Sequence, residues 1–543
     1  MTDTTPDTTA KKRNIETILP LTPLQEGILF HTLLAQDRGL YMPQMAYFLS
    51  GPIDPDQLRA AWAQVLARHS ALRSGIHWEE RADPFQIIYR QLPLNWEHLD
   101  WRGQDTDTAL NAVFEQNRRR PFDLRRPPLM RLQMAQTGPE QHVLVLCHHH
   151  IVLDGWSTAR MLQDVMAFYH GLGGALPVAR PYADYIRWMK RQDRTASRAF
   201  WQDLIAGTPG PSLAFGQDSD TPEFDRQSWP FPDDLADAVT QFCAHQGITL
   251  NTLLQGALGL FVAQKLGRSD VFFGAATSGR PANLPGAADM VGLFINALPV
   301  RIKVAPTDPV DVWLDRLQRQ QAATIEHEHI ALRDIQDGLG TLFDCLLVVE
   351  NYPVTIGSGQ SDIALDRVEF DEWTHFPLTL LVAPGHAGMK LILRRDRHVL
   401  DDAALAEFID RYVAIMRQII ENPQAPLSDI TGPLRDLPAA QTARPAAVAA
   451  GARMPTTPTE QTIAEIWSDV LQTAPPKAQD NFFAIGGHSL LAAKVVTRLR
   501  RAFDIDLPVR VMFDTPVLAD MATYLDARQA AAAPTQGANV MEF

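Results

Sequence analysis

Residues 431–456 set the first limit on what this chain can fold into. Four prolines and eight alanines fall in those 26 positions, with few large apolar residues to bury. Such a stretch reads as an extended linker. It divides the 543 residues into a large N-terminal part and a small C-terminal one. Length alone leads to roughly three domains or subdomains, so the large part is expected to be double.

Composition then removes whole classes of function. A net charge of −14 argues against a nucleic-acid binder, which needs a basic surface to neutralise phosphate, and against an anionic membrane surface. Cys147, Cys243 and Cys345 are too few for a disulfide framework and follow no zinc spacing, which fits a reducing compartment. The N-terminal MTDTTPDTTAKKRN has no apolar core of a signal peptide. The longest apolar run, Leu253–Val262, is broken by Gln255, Gly256 and Gly259, far from the roughly eighteen residues of a membrane span. A cytoplasmic protein is expected.

Periodicity gives a mixed α+β order. Residues 1–13 are Thr-rich and read as disordered or as a docking segment. Thr22, Pro23 and Gln25 form a helix start, as N-cap, N1 and N3. Leu58, Ala61, Trp62, Val65 and Leu66 stripe a helix over Pro55–His69. Strands are expected at Leu72–Trp78, Phe85–Tyr89 and Leu129–Ala135, and a helix from Ser157, with Ser157 as its N-cap. Gly171–Pro177 is a glycine-rich connector to a second mixed half, which closes on a helix over Asp402–Glu421.

Between them lies V-L-C-H-H-H-I-V-L-D-G-W, Val145 to Trp156. It reads as a strand that carries imidazole to its end and stops in a tight turn at Asp154-Gly155. Alternation would place His148 and His150 on one face and His149 on the other. Three adjacent histidines on a strand cannot converge on one metal, and no second cluster at ligand spacing is present, so no metal is expected.

After the linker, Thr457, Pro458 and Glu460 form a capping box ahead of the stripe Ile463, Ile466, Trp467, Val470 and Leu471. Downstream, D-N-F-F-A-I-G-G-H-S-L-L spans Asp480–Leu491. Ser489 starts a helix there, where it is either a plain N-cap or well placed to carry a phosphodiester at the positive helix end. A G-x-S-x-G nucleophile elbow is excluded, because Leu491 holds the last glycine position.

The segment around Ser489 resembles the core motif of peptidyl carrier domains of nonribosomal peptide synthetases, a likeness that continues to D-T-P-V-L-A-D-M-A at Asp514–Ala522. It implies a four-helix bundle over 457–528, 4′-phosphopantetheine on Ser489, a phosphopantetheinyl transferase as partner, and a disordered tail at 529–543. Likewise H-H-x-x-x-D-G, here His149, His150, Asp154 and Gly155, resembles the signature of the condensation domains of those synthetases. P-L-T-P-L-Q-E-G-I-L-F-H (20–31), A-R-H-S-A-L-R (67–73), R-P-Y-A-D-Y-I-R-W (180–188), S-G-R-P (278–281), V-G-L-F-I-N-A-L-P-V-R (291–301), H-E-H-I-A-L-R-D-I-Q (327–336) and L-F-D-C-L-L-V-V-E-N-Y-P (342–353) resemble its other motifs, in order.

That resemblance implies two chloramphenicol-acetyltransferase-like halves in a V, 14–172 and 178–430, with a tunnel between them and a carrier docking at each mouth. The reaction implied is attack of an acceptor amine, tethered on Ser489, on a donor thioester. His150 would be base, orienting group or stabiliser of the tetrahedral intermediate, the Gly155 amide a donor to the oxyanion, and Arg280 the salt-bridge partner of Asp154. Gly155-Trp156-Ser157-Thr158 after Asp154 differs from the epimerisation form, and the intact histidines differ from the heterocyclisation form. The Q-E-G-x-L-F-H and E-N-Y-P wording resembles the subtype that takes a D-configured donor. No adenylation domain stands between the two parts, so either a separate enzyme loads the carrier or the chain is an excised or engineered piece, and a donor carrier supplied in trans is expected. Rival classes are an acyltransferase using coenzyme A or a soluble amine, and a catalytically silent carrier-binding module.

Overall fold

The computed structural model describes residues 14–34, 39–79, 83–216, 223–336, 339–350, 362–385, 388–436, 453–483, 485, 487, 489–507 and 511–532. The expected disordered segment 1–13, most of the linker, and the tail from 533 lie outside them. Two compact units emerge. A large one lies within residues 14–436, and a small one holds residues 453–532 with the short stretches 28–34, 78–79 and 83–84.

In the large unit the strands of the first part are β1 (Ile15–Pro20), β2 (Gln44–Ser50), β3 (Ser74–His77), β4 (Phe85–Tyr89), β5 (Trp96–Asp100), β6 (Met130–Gly138) and β7 (Gln141–His148). The second part supplies β8 (Phe224–Pro230), β9 (Asp270–Thr277), β10 (Asn296–Lys303), β11 (Cys345–Val349), β12 (Ala364–Asp371), β13 (Leu378–Gly385) and β14 (Gly388–Asp396). They assemble into a small sheet β1-β4-β3, a five-stranded sheet β12-β2-β7-β6-β5 and a six-stranded sheet β10-β9-β11-β13-β14-β8.

β7 is the centre of the five-stranded sheet. Val143 and Val145 join Ala46, Ala135 and the helix Thr106–Arg118 in one core. Leu144 and Leu146 are equally buried and point to the opposite face. With both faces covered, the strand reads as an almost unbroken apolar run, and each fully buried leucine contributes roughly 1.5–3 kcal/mol.

The second part packs its sheet under the helices Asp233–Gln246, Leu250–Leu266, Val310–Thr324 and Asp402–Glu421 in one large core. Gly256 and Gly259 let the buried helix sit close: a Cβ at Gly259 would meet Ile302 Cγ1 at 2.4 Å. β12 departs from its own half. It pairs antiparallel with β2, Asp371 opposite Gln44, and so adds an edge strand to the sheet that contains β7.

Several expectations need correction. The histidine strand ends at His148 rather than running through to the Asp-Gly turn, because His149 and His150 bond outside the ladder, to Leu129 and Tyr41. Leu72–Trp78 opens as a 3-10 turn over Ser70–Arg73 before β3 begins. Asp154, not Ser157, caps the helix Gly155–Tyr169, since its Oδ1 accepts the Ser157 amide at 2.7 Å. Residues 432–436 at the expected start of the linker are held in place: the Ser269 amide donates to Arg435 and the Arg435 amide to Gly267.

The small unit is helical: Pro458–Leu471, Ser489–Phe503, Val511–Asp514 and Leu518–Ala532. The last helix covers residues 529–532, which the sequence assigns to the tail. Ile463, Trp467, Phe482, Val495, Val496, Leu499, Leu518 and Leu525 form its buried interior. The expected capping box at Thr457 and Glu460 is present.

Candidate active site and carrier serine

Backbone hydrogen bonds bring three chain segments to the end of β7. The His150 amide donates to the Tyr41 carbonyl at 2.8 Å, and the Tyr41 amide to the Trp373 carbonyl at 2.9 Å. The first segment leads into β2, the second leaves β7, and the third follows β12. The exchange of β12 between the halves therefore determines what faces the histidines.

The three imidazoles have different fates. His148 and His149 are buried, and burial, reinforced by their neighbouring histidines, holds His148 well below the usual histidine range and His149 at about 3. Both are neutral at physiological pH. The Nδ1 of His149 accepts the Ile151 amide at 3.2 Å, and its ring meets Phe122 edge-on. His150 keeps 13% of its side chain accessible. Its Nδ1 lies 2.8 Å from the Leu153 carbonyl, which can only accept, so Nδ1 carries a proton. That leaves Nε2 for chemistry, and Nε2 lies 3.3 Å from Glu372 Oε1.

Asp154 is fully buried. Its Oδ1 takes the Ser157 amide and Arg280 Nη2 at 3.2 Å; its Oδ2 takes the Phe294 amide at 2.9 Å. Arg280 also donates to Ser157 Oγ at 2.7 Å and to the carbonyls of Ala287 and Met290, and it stacks 4.0 Å over Phe294. Ser157 completes the join by giving its hydroxyl to the Gly292 carbonyl and accepting the Gly292 amide. The turn after His150 is thus tied to residues 280–294 of the other half. Its buried charge is neutralised where it stands.

Gly155 is the first residue of the helix Gly155–Tyr169. A first-turn amide has no acceptor within its helix, and Gly155 makes no hydrogen bond through it among the described residues. It stands beside the turn that holds His150, partly accessible. Among the described residues, no group of three His, Cys, Asp or Glu side chains is placed to hold a metal ion. No helix among them is long and apolar enough to cross a membrane.

Sequence reasoning missed Glu372, Arg394 and Tyr41. Glu372 and Arg394 are buried, and Arg394 Nη1 donates to Glu372 Oε2 at 3.2 Å. The signal for Glu372 is faint: one of two adjacent carboxylates in D-E-W-T-H-F-P-L, 222 positions beyond His150 in the chain.

In the small unit, Ser489 is the first residue of a fifteen-residue helix. The Gly487 amide donates to the Phe482 carbonyl at 2.9 Å. A Cβ at Gly487 would meet Phe482 Cδ1 at 2.4 Å, so only glycine closes this turn without displacing the ring. A serine as the first residue of a helix, the end that favours anions, fits a phosphodiester-linked group.

Comparison with known proteins agrees with this geometry. Residues 15–436 match the family described as Condensation domain, and residues 461–525 match Phosphopantetheine attachment site. A component of the linear gramicidin synthase of Brevibacillus parabrevis is 36% identical over 446 residues, 77% of this chain but 9% of that protein. Surfactin synthase subunit 3 of Bacillus subtilis (strain 168) is 29% identical over 77% of this chain and 34% of its own length. The chain therefore spans only a minor part of these relatives. Among solved structures, the first condensation domain of the calcium-dependent antibiotic synthetase, in complex with a substrate analogue, superposes with a TM-score of 0.65 at 18% identity, over 77% of this chain and 99% of that one. The condensation domain of the Monacolin K polyketide synthase MokA gives 0.65 at 17% identity, over 76% and 100%. These likenesses give the large unit its chloramphenicol-acetyltransferase-like fold. The chain belongs to the condensation-domain family of nonribosomal peptide synthetases, the peptide-bond-forming acyltransferases, and carries a phosphopantetheine-attachment domain after it.

Proposed function

We propose that this chain joins an acceptor amine, carried on Ser489, to a donor acyl group delivered as a thioester by another carrier domain. The observation that carries the reading is His150: Nδ1 committed to the Leu153 carbonyl, Nε2 left for the substrate. The phosphopantetheine group supplies a thiol that holds the acceptor's acyl group on a long, flexible arm.

His150 takes a proton from the acceptor ammonium, or holds the amine in line. The amine nitrogen forms the new C–N bond at the donor carbonyl, the donor's C–S bond breaks, and the leaving sulfur takes up a proton. The Gly155 amide donates to the carbonyl oxygen as it becomes an oxyanion, the role preorganised donors play in acyl transfer. Asp154 and Arg280 hold the turn and do not touch substrate. General-base assistance contributes roughly 10²–10⁴-fold, and tethering of both reactants adds an effective-molarity gain.

Residues 14–172 and 178–430 act as the two halves, 437–456 as the linker and 457–532 as the carrier. A phosphopantetheinyl transferase modifies Ser489. Only residues 437–460 separate the two matched segments, too few for an adenylation domain, so a separate adenylating enzyme loads the carrier. The protein acts in the cytoplasm. A donor ending in a D-configured residue rests on the Q-E-G-I-L-F-H and E-N-Y-P wording alone, and Asn351, Tyr352 and Pro353 lie outside the described residues.

The test is intact-mass analysis of both carriers after incubation of the loaded partners, with wild type, His150→Ala and Ser489→Ala. Transfer by wild type, greatly slowed transfer by His150→Ala and no pantetheinylation of Ser489→Ala are expected. Absence of amide from wild type with loaded cognate carriers would favour a silent carrier-binding module. Undiminished transfer by His150→Ala would remove His150 from the mechanism.

A further inference from the structure

We propose that Glu372 is the carboxylate on which the acceptor's α-ammonium docks, so that it selects an amine as nucleophile. This rests on the condensation reading above.

The placement comes from the strand exchange. β12 ends at Asp371, and the hydrogen-bonded series Trp373–Tyr41–His150 fixes the next residue across from the histidine. Asp154 has both oxygens engaged, and Asp371 is bound by Arg118 at 2.9 Å. Glu372 divides its oxygens: Oε2 accepts from Arg394, and Oε1 faces His150 Nε2 at 3.3 Å. Arg394 is held 4.8 Å over the Phe370 ring, and its buried Nε and Nη2 have no hydrogen-bond partner among the described residues. Glu372 is therefore anchored on one side and open on the other.

The open side presents a problem that a substrate resolves. With Nδ1 carrying the proton, a neutral His150 has its lone pair at Nε2, and a carboxylate oxygen only accepts. In that state two acceptors face each other at 3.3 Å, and either a proton on Nε2 or an N–H brought by substrate must join them. An α-ammonium brings three: one suits Glu372 Oε1, a second suits His150 Nε2. When Nε2 takes that second proton, the imidazolium is paired with Glu372 and the amine lone pair is freed for the donor carbonyl. The charge in the pocket is the same before and after the transfer, so no unpaired charge is created in a buried place. With 10% and 13% of their side chains accessible, Glu372 and His150 are sheltered yet reachable.

Soluble aminoacyl thioesters of N-acetylcysteamine and their α-deamino counterparts separate docking from mere support. With the full chain and a loaded donor carrier, KM is measured for the aminoacyl acceptor, and Ki for the matched deamino thioester as competitor. In Glu372→Gln, KM rises about tenfold or more, the scale of a lost charge-assisted hydrogen bond, while Ki stays within about twofold; Glu372→Asp falls between. The double variant Arg394→Met with Glu372→Gln leaves no buried guanidinium unpaired and shows the same rise. An unchanged KM overturns the proposal, and so does a parallel rise of KM and Ki, the sign of general loss of structure. Failure of wild type to form any amide removes the condensation reading itself, whatever the variants do.

Discussion

Arg280 stands 3.2 Å from the fully buried Asp154, and the two come from different halves of the large unit, 126 residues apart in sequence. The ion pair locks the turn after His150 onto residues 287–294, because Arg280 also binds the carbonyls of Ala287 and Met290. Replacing Arg280 by Ala leaves Asp154 buried and uncompensated, which costs about 3–5 kcal/mol. Denaturant unfolding should register that loss. A cost below about 1 kcal/mol would mean that the amides of Ser157 and Phe294 satisfy the carboxylate alone.

Gly279 precedes that arginine with φ +57°, and a Cβ there would lie 1.7 Å from the Phe294 carbonyl oxygen. The amide of the same Phe294 donates to Asp154. Gly279→Ala therefore combines left-handed strain of about 1–2 kcal/mol with displacement of a backbone that holds the site. Lower stability and lower condensation activity are expected together. A variant that matches wild type in denaturation midpoint would show that the turn relaxes without disturbing Phe294.

His150 contrasts with these supports. Among the described residues its side chain makes one hydrogen bond, to Leu153, and faces Glu372. Truncation to Ala should cost about 1 kcal/mol of stability, the net worth of such a bond, while transfer falls roughly 10²–10⁴-fold. Paired measurement of melting and single-turnover rate checks this. Equal damage to both would class His150 with the structural residues.

Local signals carried much of this reading, and long-range pairing carried the rest. The helix Leu250–Leu266 is bounded by Thr249 and Gly267, a side-chain cap and a left-handed stop, so its limits are written in adjacent residues. Trp62 and its neighbours declare their buried face by spacing alone. β1, β2, β5, β8 and β12 went unread for a common reason. Q-M-A-Y-F-L-S and A-L-D-R-V-E-F-D mix burial with polar or charged positions whose partners lie far away. Arg118, for instance, reaches Asp371 across 253 residues. Asp154, His150 and Ser489 were legible because motif wording marks them. Glu372 was not, since its meaning depends on which strand β12 joins. Ser157 was misread because a serine near a helix start resembles a cap whether its hydroxyl turns inward, as here, or back to its own amides.

The carrier should answer to acid through Glu460. Arg453 binds both of its oxygens, and the amides of Thr456 and Thr457 donate to Oε2 at 2.7 and 3.2 Å. The Arg453 hydrogen bonds, followed by those backbone amides, hold the Glu460 carboxyl at about 2 instead of 4.5. A depressed folded value means that the unfolded chain takes up the proton first as pH falls. The stabilisation is complete above pH 4.5, declines between pH 4.5 and 2, and is gone below. Glu460→Gln, which lacks the charge at every pH, should therefore be less stable than wild type by a constant margin from pH 7 to 5. That margin should close as the pH approaches 2. Urea unfolding followed by carrier-resolved NMR at stepped pH measures it. A margin that stays level down to pH 3, or widens, would show that the capping box works without the carboxylate's charge.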